Sequence, residues 1–206
     1  MKKTKLILFG GTFDPIHLGH TAVAFCASQT LNAGKTILIP AKRSPLKALH
    51  PQAGDKDRLT MITLALADYP SITVSDYELK KNAPCYTIDT VAKFKADFPA
   101  SEIYWLIGAD ALDELPLWYK IDELLDQCSL CVMYRAGFAP PDFEKFTAIW
   151  GASRIAKLRQ NVIETPLINI SSTAIRAKLA AGLDASDMLA PKVAQYIKTH
   201  NLYKPE

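Results

Sequence analysis

The sequence predicts an α/β protein built on a doubly wound parallel sheet with C-terminal helices. Short apolar runs alternate with segments of helical periodicity between Lys5 and Tyr134. This alternation is typical of βαβ units, whose right-handed crossovers cover both faces of a parallel sheet. A length of 206 residues and an apolar fraction of 49% suit one domain with a sizeable core. We therefore expect a single domain over residues 1–206, with a helical C-terminal part from about 171.

The first predicted strand, Lys5–Phe9, is a short apolar run closed by two glycines, which suits a buried strand that feeds a tight turn. The next elements follow from two signals, apolar residues three or four apart for helices and short apolar runs for strands. These signals predict helices and strands in alternation over Leu18–Ala33, Thr36–Ile39, Arg58–Asp68, Ser71–Ser75, Thr87–Phe98, Ile103–Ile107, Trp118–Asp126 and Leu130–Tyr134. A loop rich in proline, lysine and serine, from Pro40 to about Gly54, follows the second strand.

The last third of the chain is less regular. Residues 137 to about 161 show no clear periodicity and are predicted as a loop with one or two helices. Thr165–Ile170 is predicted as a last short strand. From Ser172 onward the pattern is helical, with Ile175, Leu179 and Leu183 on one face, a break at Gly182–Ser186 and a final helix near residues 191–200.

Charge and hydropathy exclude several classes of function. The 24 lysines and arginines exceed the 21 acidic residues by only 3, which predicts neither a nucleic-acid partner nor a membrane-surface helix. No apolar run approaches the roughly 18 residues of a membrane span, and the N-terminal run is too short for a signal peptide. We expect a cytoplasmic protein, and the sequence leaves a homo-oligomer possible.

Cys128 and Cys131 form a CxxC pair, the spacing of many metal sites. They fall in a predicted strand, where residues three apart point to opposite faces and cannot easily hold one metal ion. No second CxxC pair occurs in the chain. We therefore interpret both as core thiols and expect no protein-bound metal.

The turn after the first strand carries the strongest functional signal. It reads GGTFDPIHLGH and lacks GxGxxG, and no P-loop motif occurs in the chain, so hydride transfer and P-loop hydrolysis lose their main support. Its two glycines let backbone amides approach an anion. His17 and His20 share one face at the opening of a helix, whose free N–H groups attract phosphate. We expect this turn to face solvent and both rings to meet one polyphosphate.

A second segment, Ile170–Arg176, reads ISSTAIR. Ser171 or Ser172 can cap the following helix, and Thr173 and Arg176 lie one turn apart on a shared face. The guanidinium of Arg176 offers a fork of donors for phosphate oxygens.

Together these segments resemble the nucleotidyltransferase α/β superfamily, with its (H/T)xGH and ISSTxIR signatures. Three further segments are similar to bacterial nicotinate-nucleotide adenylyltransferases: Pro45–Lys47, Cys85–Thr90, and Ile107–Asp110 followed by Leu115–Lys120. The family usually has histidine where this chain has Leu46, so a phosphate contact at that position is not expected here, although Lys47 remains.

The resemblance implies a Rossmann-like nucleotidyltransferase fold and the transfer of an adenylyl group from ATP to nicotinate mononucleotide. The products are deamido-NAD and pyrophosphate, and the pathway is NAD biosynthesis. Mg²⁺ is expected to ride mainly on the ATP phosphates. The residues implied in ATP binding are Gly10, Gly11, Thr12, Phe13, His17, His20, Ser171, Ser172, Thr173 and Arg176. Of these, His17, His20 and Arg176 are expected to be catalytic.

The implied acceptor site must reward negative charge, because nicotinate carries a carboxylate where nicotinamide carries a neutral amide. Thr87 opens a predicted helix whose N–H groups suit a carboxylate. Trp118 and Tyr119 offer flat faces for a pyridine ring, and Asp110 after Gly108 suits ribose hydroxyls. The residues implied in acceptor binding are Lys47, Tyr86, Thr87, Gly108, Asp110, Trp118 and Tyr119.

Alternative functions keep the chemistry and change the acceptor, to nicotinamide mononucleotide or phosphopantetheine, or change the transferred group to cytidylyl. A class I aminoacyl-tRNA synthetase would need a KMSKS-like loop and a tRNA-binding domain, which this sequence lacks. A non-enzymatic nucleotide-binding regulator is disfavoured, because a binder need not keep His17, His20 and Arg176.

Overall fold

A computed structural model describes residues 3–43, 50–82 and 84–204. The strands are β1 (Thr4–Gly11), β2 (Lys35–Pro40), β3 (Ile72–Val74), β4 (Ser101–Gly108), β5 (Ser129–Arg135) and β6 (Val162–Thr165). The helices are α1 (Leu18–Leu31), α2 (Asp55–Ala65), α3 (Thr87–Asp97), α4 (Ile121–Gln127), α5 (Thr147–Gln160), α6 (Ser172–Ala180) and α7 (Pro191–Thr199). All strand pairs are parallel, and the strand order is β3-β2-β1-β4-β5-β6. The predicted doubly wound α/β fold is confirmed.

Helices cover both faces of the sheet, as the alternation of side chains in β1 illustrates. Leu6 and Leu8 pack in the cluster that contains the buried residues of α3, α4 and α5. Ile7 points the other way and packs with Ala27 of α1. Residues of α2, α6 and α7 form a third cluster with Leu38 of β2. Since successive residues of a strand face opposite sides, these clusters form the two layers around the sheet.

The strand order reverses between β1 and β4. From β1 the chain moves outward to β2 and β3, and it then returns to place β4 on the other side of β1. In open α/β sheets this reversal leaves a crevice beyond the carboxyl ends of the two central strands, where ligands bind. The topology therefore places the candidate site after β1 and β4.

Three predicted elements have boundaries that are wrong by three residues or more. The last strand was expected at Thr165–Ile170, but β6 ends at Thr165, because the proline at 166 has no N–H to donate to the ladder. Helix α2 begins at Asp55, where acidic residues in its first turn favour the helix dipole. Helix α4 begins at Ile121 rather than Trp118, since Lys120 adopts a left-handed conformation with φ of 53°.

The region from 137 to 161 contains one helix, α5, as the sequence allowed, preceded by a short 3₁₀ turn at Glu144–Phe146. Helix α5 is kinked at Gly151, whose φ of 76° is favourable only for glycine. Leu183, predicted to share one helical face with Ile175, is 59% exposed, because α6 ends at Ala180.

The interpretation of Cys128 and Cys131 as core thiols is confirmed. Both are buried and free, and they pack in clusters on opposite faces of the sheet. Burial raises the pKa of each thiol to about 12. Within the described ranges, no helix is long and apolar enough to cross a membrane.

Candidate active site

A cavity of about 1170 Å³ opens at the carboxyl ends of β1, β4 and β5. This volume exceeds the roughly 300–1,000 Å³ of pockets for one drug-sized ligand, so the cavity has room for two substrates. The predicted site residues that line it are Gly11, Thr12, Phe13, His17, His20, Gly108, Asp110, Ser171, Ser172, Thr173 and Arg176. The sequence thus anticipated residues from three separate segments that the fold brings to one cavity.

Aromatic packing explains the two glycines that end β1. A Cβ at Gly10 would lie 2.6 Å from the ring of Trp105, and one at Gly11 would lie 2.8 Å from the ring of Phe13. Phe13 is itself buried with a φ of 49°, an uncommon conformation for a bulky residue that surrounding contacts must hold. Gly11 lines the cavity and Gly10 does not, so the contact of Gly10 with ATP stays a prediction.

The buried side chain of Arg58 holds the turn after β1 in place. Its side chain is fully buried and donates hydrogen bonds to the carbonyls of Thr12 at 2.8 Å and Ala41 at 2.9 Å. It also pairs with the carboxylate of Asp55 at 2.7 Å. A buried charge is costly unless it is paired, and these partners compensate that cost. Arg58 therefore fixes the turn against the end of β2 and the start of α2.

His17 and His20 stack on each other, with ring centroids 3.7 Å apart and planes inclined by 23°. The prediction that both rings share a face is confirmed. The expectation that the turn faces solvent is wrong, because residues 13–17 are all buried and His20 is half-buried against Phe13.

The backbone N–H of His17 donates to Nδ1 of His20 at 3.3 Å. A neutral imidazole that accepts at Nδ1 carries its proton on Nε2. His20 can therefore offer an Nε2–H donor to an anion in the cavity.

Burial, and then the positive charge of Arg135, lowers the pKa of His17 from 6.5 to about 4. His17 is therefore neutral at pH 7 in the absence of ligand. Its Nδ1 atom is buried, and no residue in the described part of the chain forms a hydrogen bond with it. Neutrality also explains how two imidazoles can stack closely without repelling each other.

This pKa predicts a pH-dependent stability. His17 is 7% exposed and neutral when folded, whereas the unfolded chain binds its proton below pH 6.5. The free energy of unfolding should therefore be highest above pH 6.5. It should fall by about 3 kcal/mol as the pH falls toward 4. We expect His17→Gln to remove this part of the pH dependence, measured as the free energy of urea unfolding at pH 7 and pH 4. Equal pH dependence in both proteins would contradict the assignment.

The Ile170–Arg176 segment binds directly to the turn after β1. Ser171 caps α6 by accepting from the N–H of Ala174 at 3.1 Å. The hydroxyl of Ser172 donates to the carbonyl of Pro15 at 2.9 Å. Arg176 donates to the carbonyl of Asp14 at 2.7 Å and to Thr173 Oγ1 at 3.3 Å. The two signature segments are therefore one structural unit, although about 150 residues separate them in the chain.

Gly108 and Asp110 form the wall contributed by β4. A Cβ at Gly108 would lie 2.2 Å from Oδ1 of Asp110, so only glycine lets this carboxylate fold back over the end of the strand. Both residues line the cavity. The carboxylate is a suitable acceptor for hydroxyl groups.

Of the described residues predicted to bind the acceptor, four do not line this cavity: Tyr86, Thr87, Trp118 and Tyr119. The rings of Tyr86 and Tyr119 lie 4.5 Å apart. Trp118 packs against the core, and its buried Nε1 has no hydrogen-bond partner among the residues described. Thr87 is the first residue of α3, as predicted, and the N-cap side chain makes no capping hydrogen bond. Lys47, like Leu46, lies outside the described residues.

Sequence reasoning missed several residues of the cavity, among them Asp14, Arg135 and Phe138. A signal existed for Arg135, because it ends β5 and ligands lie beyond the carboxyl ends of parallel strands. Asp14 gave no such signal, since its partners lie far away in sequence.

Within residues 3–43, 50–82 and 84–204, no group of three or more His, Cys, Asp or Glu side chains could hold a metal ion. A cation at this cavity would depend on the phosphates of a ligand for most of its coordination.

Comparison with known proteins identifies the family. A cytidylyltransferase-like family model matches residues 8–178. Probable nicotinate-nucleotide adenylyltransferases from Aeromonas hydrophila and Dehalococcoides mccartyi are 36% and 35% identical to this chain, with 100% and 98% of both sequences covered. The chain belongs to the nicotinate-nucleotide adenylyltransferase family.

The fold of this family is also recovered by structural comparison. The nicotinic acid mononucleotide adenylyltransferase of Plasmodium falciparum complexed with NaAD matches 97% of both chains, with a TM-score of 0.73 and 19% sequence identity. The match to the cytidylyltransferase-like family model ends near the C-terminus of α6, so α7 and the residues after it lie beyond that matched range.

Proposed function

We propose that this chain transfers the adenylyl group of ATP to nicotinate mononucleotide, forming deamido-NAD and pyrophosphate for NAD biosynthesis in the cytoplasm. Membership in the adenylyltransferase family supports the reaction. The main observation in support of this reaction is that the two signature segments contact each other at one cavity, which His17, His20 and Arg176 all line.

The reaction needs no protein nucleophile, because the acceptor already carries a phosphate oxygen. This oxygen forms a bond to the α-phosphorus of ATP, the bond from that phosphorus to the bridging oxygen breaks, and pyrophosphate leaves. Catalysis then consists of holding two anions in line and stabilising the charge that develops on pyrophosphate. Mg²⁺ carried by the phosphates would neutralise part of that charge.

We assign a separate role in this reaction to each of four cavity residues. The Nε2–H of His20 donates to a phosphate oxygen, and neutral His17 supports the stacked ring beside it. Arg176 is held by the Asp14 carbonyl and presents its remaining donors to the triphosphate. At the other wall, Asp110 accepts hydrogen bonds from ribose hydroxyls of the acceptor.

Selection of nicotinate over nicotinamide is proposed to reside at the start of α3. The first N–H groups of a helix attract a carboxylate, and Tyr86 does not occupy them with a side-chain cap. The aromatic cluster of Tyr86, Trp118 and Tyr119 would contact the pyridine ring.

Replacing Trp118 by alanine is expected to raise KM for nicotinate mononucleotide while kcat and the KM for ATP stay nearly unchanged. A ring that stacks equally in the ground and transition states contributes only uniform binding. Steady-state kinetics in both substrates tests this. A loss of stability with equal effects on both KM values would show that Trp118 only packs the core.

Replacing Thr87 tests the carboxylate site. Thr87→Ala should have a modest effect, since backbone N–H groups survive the substitution. Thr87→Asp should weaken the binding of nicotinate mononucleotide far more than the binding of nicotinamide mononucleotide, because the aspartate charge repels the substrate carboxylate. Thr87→Asn is a control of the same shape without charge. We would measure kcat/KM for both mononucleotides. An aspartate that penalises both equally would place the carboxylate elsewhere.

The proposed function is tested by incubating the protein with ATP, Mg²⁺ and each acceptor in turn, with the products identified by mass spectrometry. We expect equal amounts of pyrophosphate and deamido-NAD from nicotinate mononucleotide, and far slower release with phosphopantetheine. Absence of deamido-NAD would contradict the proposal.

A further inference from the structure

Asp14 is the centre of a hydrogen-bond cluster beneath the catalytic turn. It is 3% exposed, and its carboxylate accepts hydrogen bonds from the hydroxyl of Tyr203 at 2.7 Å and from the N–H groups of Gln52 and Ala53 at 2.8 and 3.1 Å. A buried carboxylate is costly unless donors surround it. These donors come from two distant segments, so Asp14 ties both of them to the turn.

Asp14 also holds the guanidinium of Arg176, which we propose binds the triphosphate of ATP. Arg176 donates to the backbone carbonyl of Asp14 at 2.7 Å, and the same guanidinium nitrogen lies 4.0 Å from the Asp14 carboxylate. Pro51, beside Gln52, lines the cavity. Asp14 therefore connects Tyr203 with two parts of the cavity wall, Arg176 and the segment at 51–53.

Tyr203 reaches this cluster from outside the catalytic segments. It follows α7, beyond residue 178, where the match to the cytidylyltransferase-like family model ends. It is buried in the cluster that contains Ile16 and Ile175. Its φ of 62° is uncommon for an aromatic residue and requires surrounding contacts to hold it. Burial, and then the charge of Asp14, raises the pKa of the Tyr203 phenol, so its hydroxyl keeps the proton that it donates.

We propose that Tyr203 is a positioning residue for adenylyl transfer, acting through Asp14 to hold Arg176 at the ATP end of the cavity. This inference rests on the proposed function. Without the hydroxyl, the hydrogen-bond donors to the Asp14 carboxylate among residues 3–43, 50–82 and 84–204 are the two backbone N–H groups of Gln52 and Ala53. The lone pair that Tyr203 leaves unsatisfied then competes for the nearby guanidinium. Arg176 is then drawn from the phosphates toward the carboxylate.

The test compares Tyr203→Phe with Tyr196→Phe. Tyr196 is a matched control, because its hydroxyl donates to a different aspartate, Asp57, at 2.8 Å, and neither residue lines the cavity. Both variants keep the aromatic ring and lose one Tyr–Asp hydrogen bond. We expect Tyr203→Phe to weaken MgATP binding and to lower kcat/KM for ATP about tenfold each, whereas Tyr196→Phe changes both less than about twofold. Calorimetry measures ATP affinity without turnover.

A double-mutant cycle with Arg176→Ala separates positioning from a general loss of stability. If Tyr203 acts through Arg176, Tyr203→Phe should have almost no further effect on ATP affinity once Arg176 is replaced. Additive losses, or equal effects of the two tyrosine variants, would overturn the proposal. A wild-type protein that binds ATP but forms no deamido-NAD would instead contradict the proposed function, and the affinity comparison would still test Tyr203.

Discussion

We expect His20→Ala to lower kcat about 10²- to 10³-fold, the loss typical of removing one preorganised donor to a developing charge. His20 lines the cavity, and its Nδ1 accepts the N–H of His17, so Nε2 carries the proton that we propose it donates to phosphate. The alanine variant also removes the acceptor for that N–H and is expected to lose some stability. The measurement is kcat with saturating ATP and nicotinate mononucleotide.

His20→Asn separates catalysis from helix capping. The asparagine oxygen can replace Nδ1 as acceptor for the N–H of His17, but nothing replaces Nε2. We therefore expect near-normal unfolding free energy with the same large loss of kcat. His200→Ala is a further control, because this histidine stacks on Tyr196 away from the cavity. If His20→Asn kept near-normal turnover, the role of His20 would be structural.

Arg176→Ala is expected to lower kcat/KM for ATP by on the order of 10²-fold, because the guanidinium stabilises charge on the departing pyrophosphate. The variant also leaves the carbonyl of Asp14 without its donor at 2.7 Å, and we expect about 1–3 kcal/mol lower stability. Steady-state kinetics and urea unfolding measure the two effects separately.

Two variants provide the comparison for Arg176. Arg176→Lys keeps the positive charge and loses the fork of donors, so its activity should lie between wild type and alanine. Lys178→Ala removes a charge from the same helix at a residue that does not line the cavity and pairs weakly with Asp187 at 3.9 Å. It should leave kcat/KM unchanged within about twofold. Equal losses from Arg176→Ala and Lys178→Ala would indicate a nonspecific charge effect.

Local patterns predicted most of the fold. Strands β1, β2, β4 and β5 were located within two residues at each end, because each is a continuous apolar run of a buried parallel strand. The last strand was misplaced because Thr165–Ile170 is also short and largely apolar, with Leu167, Ile168 and Ile170. A proline at 166 ends the pairing, and this effect depends on the neighbouring strand, which sequence patterns do not describe.

Site residues that belong to short sequence motifs were predicted. Residues that reach the site through contacts with distant parts of the chain were missed. His17, His20 and Arg176 lie in motifs that the chain order itself displays. Arg58 was not anticipated, because arginine is ordinarily exposed and its burial depends on carbonyls of the turn and β2. The bond from Tyr203 to Asp14 spans 189 residues, and no local spacing indicates it.

The preference for nicotinate is measured as the ratio of kcat/KM for nicotinate mononucleotide to that for nicotinamide mononucleotide, at saturating MgATP. The two acceptors share a ribose phosphate and differ only at the pyridine ring, which carries a carboxylate in nicotinate and a neutral carboxamide in nicotinamide. We predict a ratio on the order of 10² or more, because we propose that the first N–H groups of α3 bind the nicotinate carboxylate. A ratio near one would contradict it.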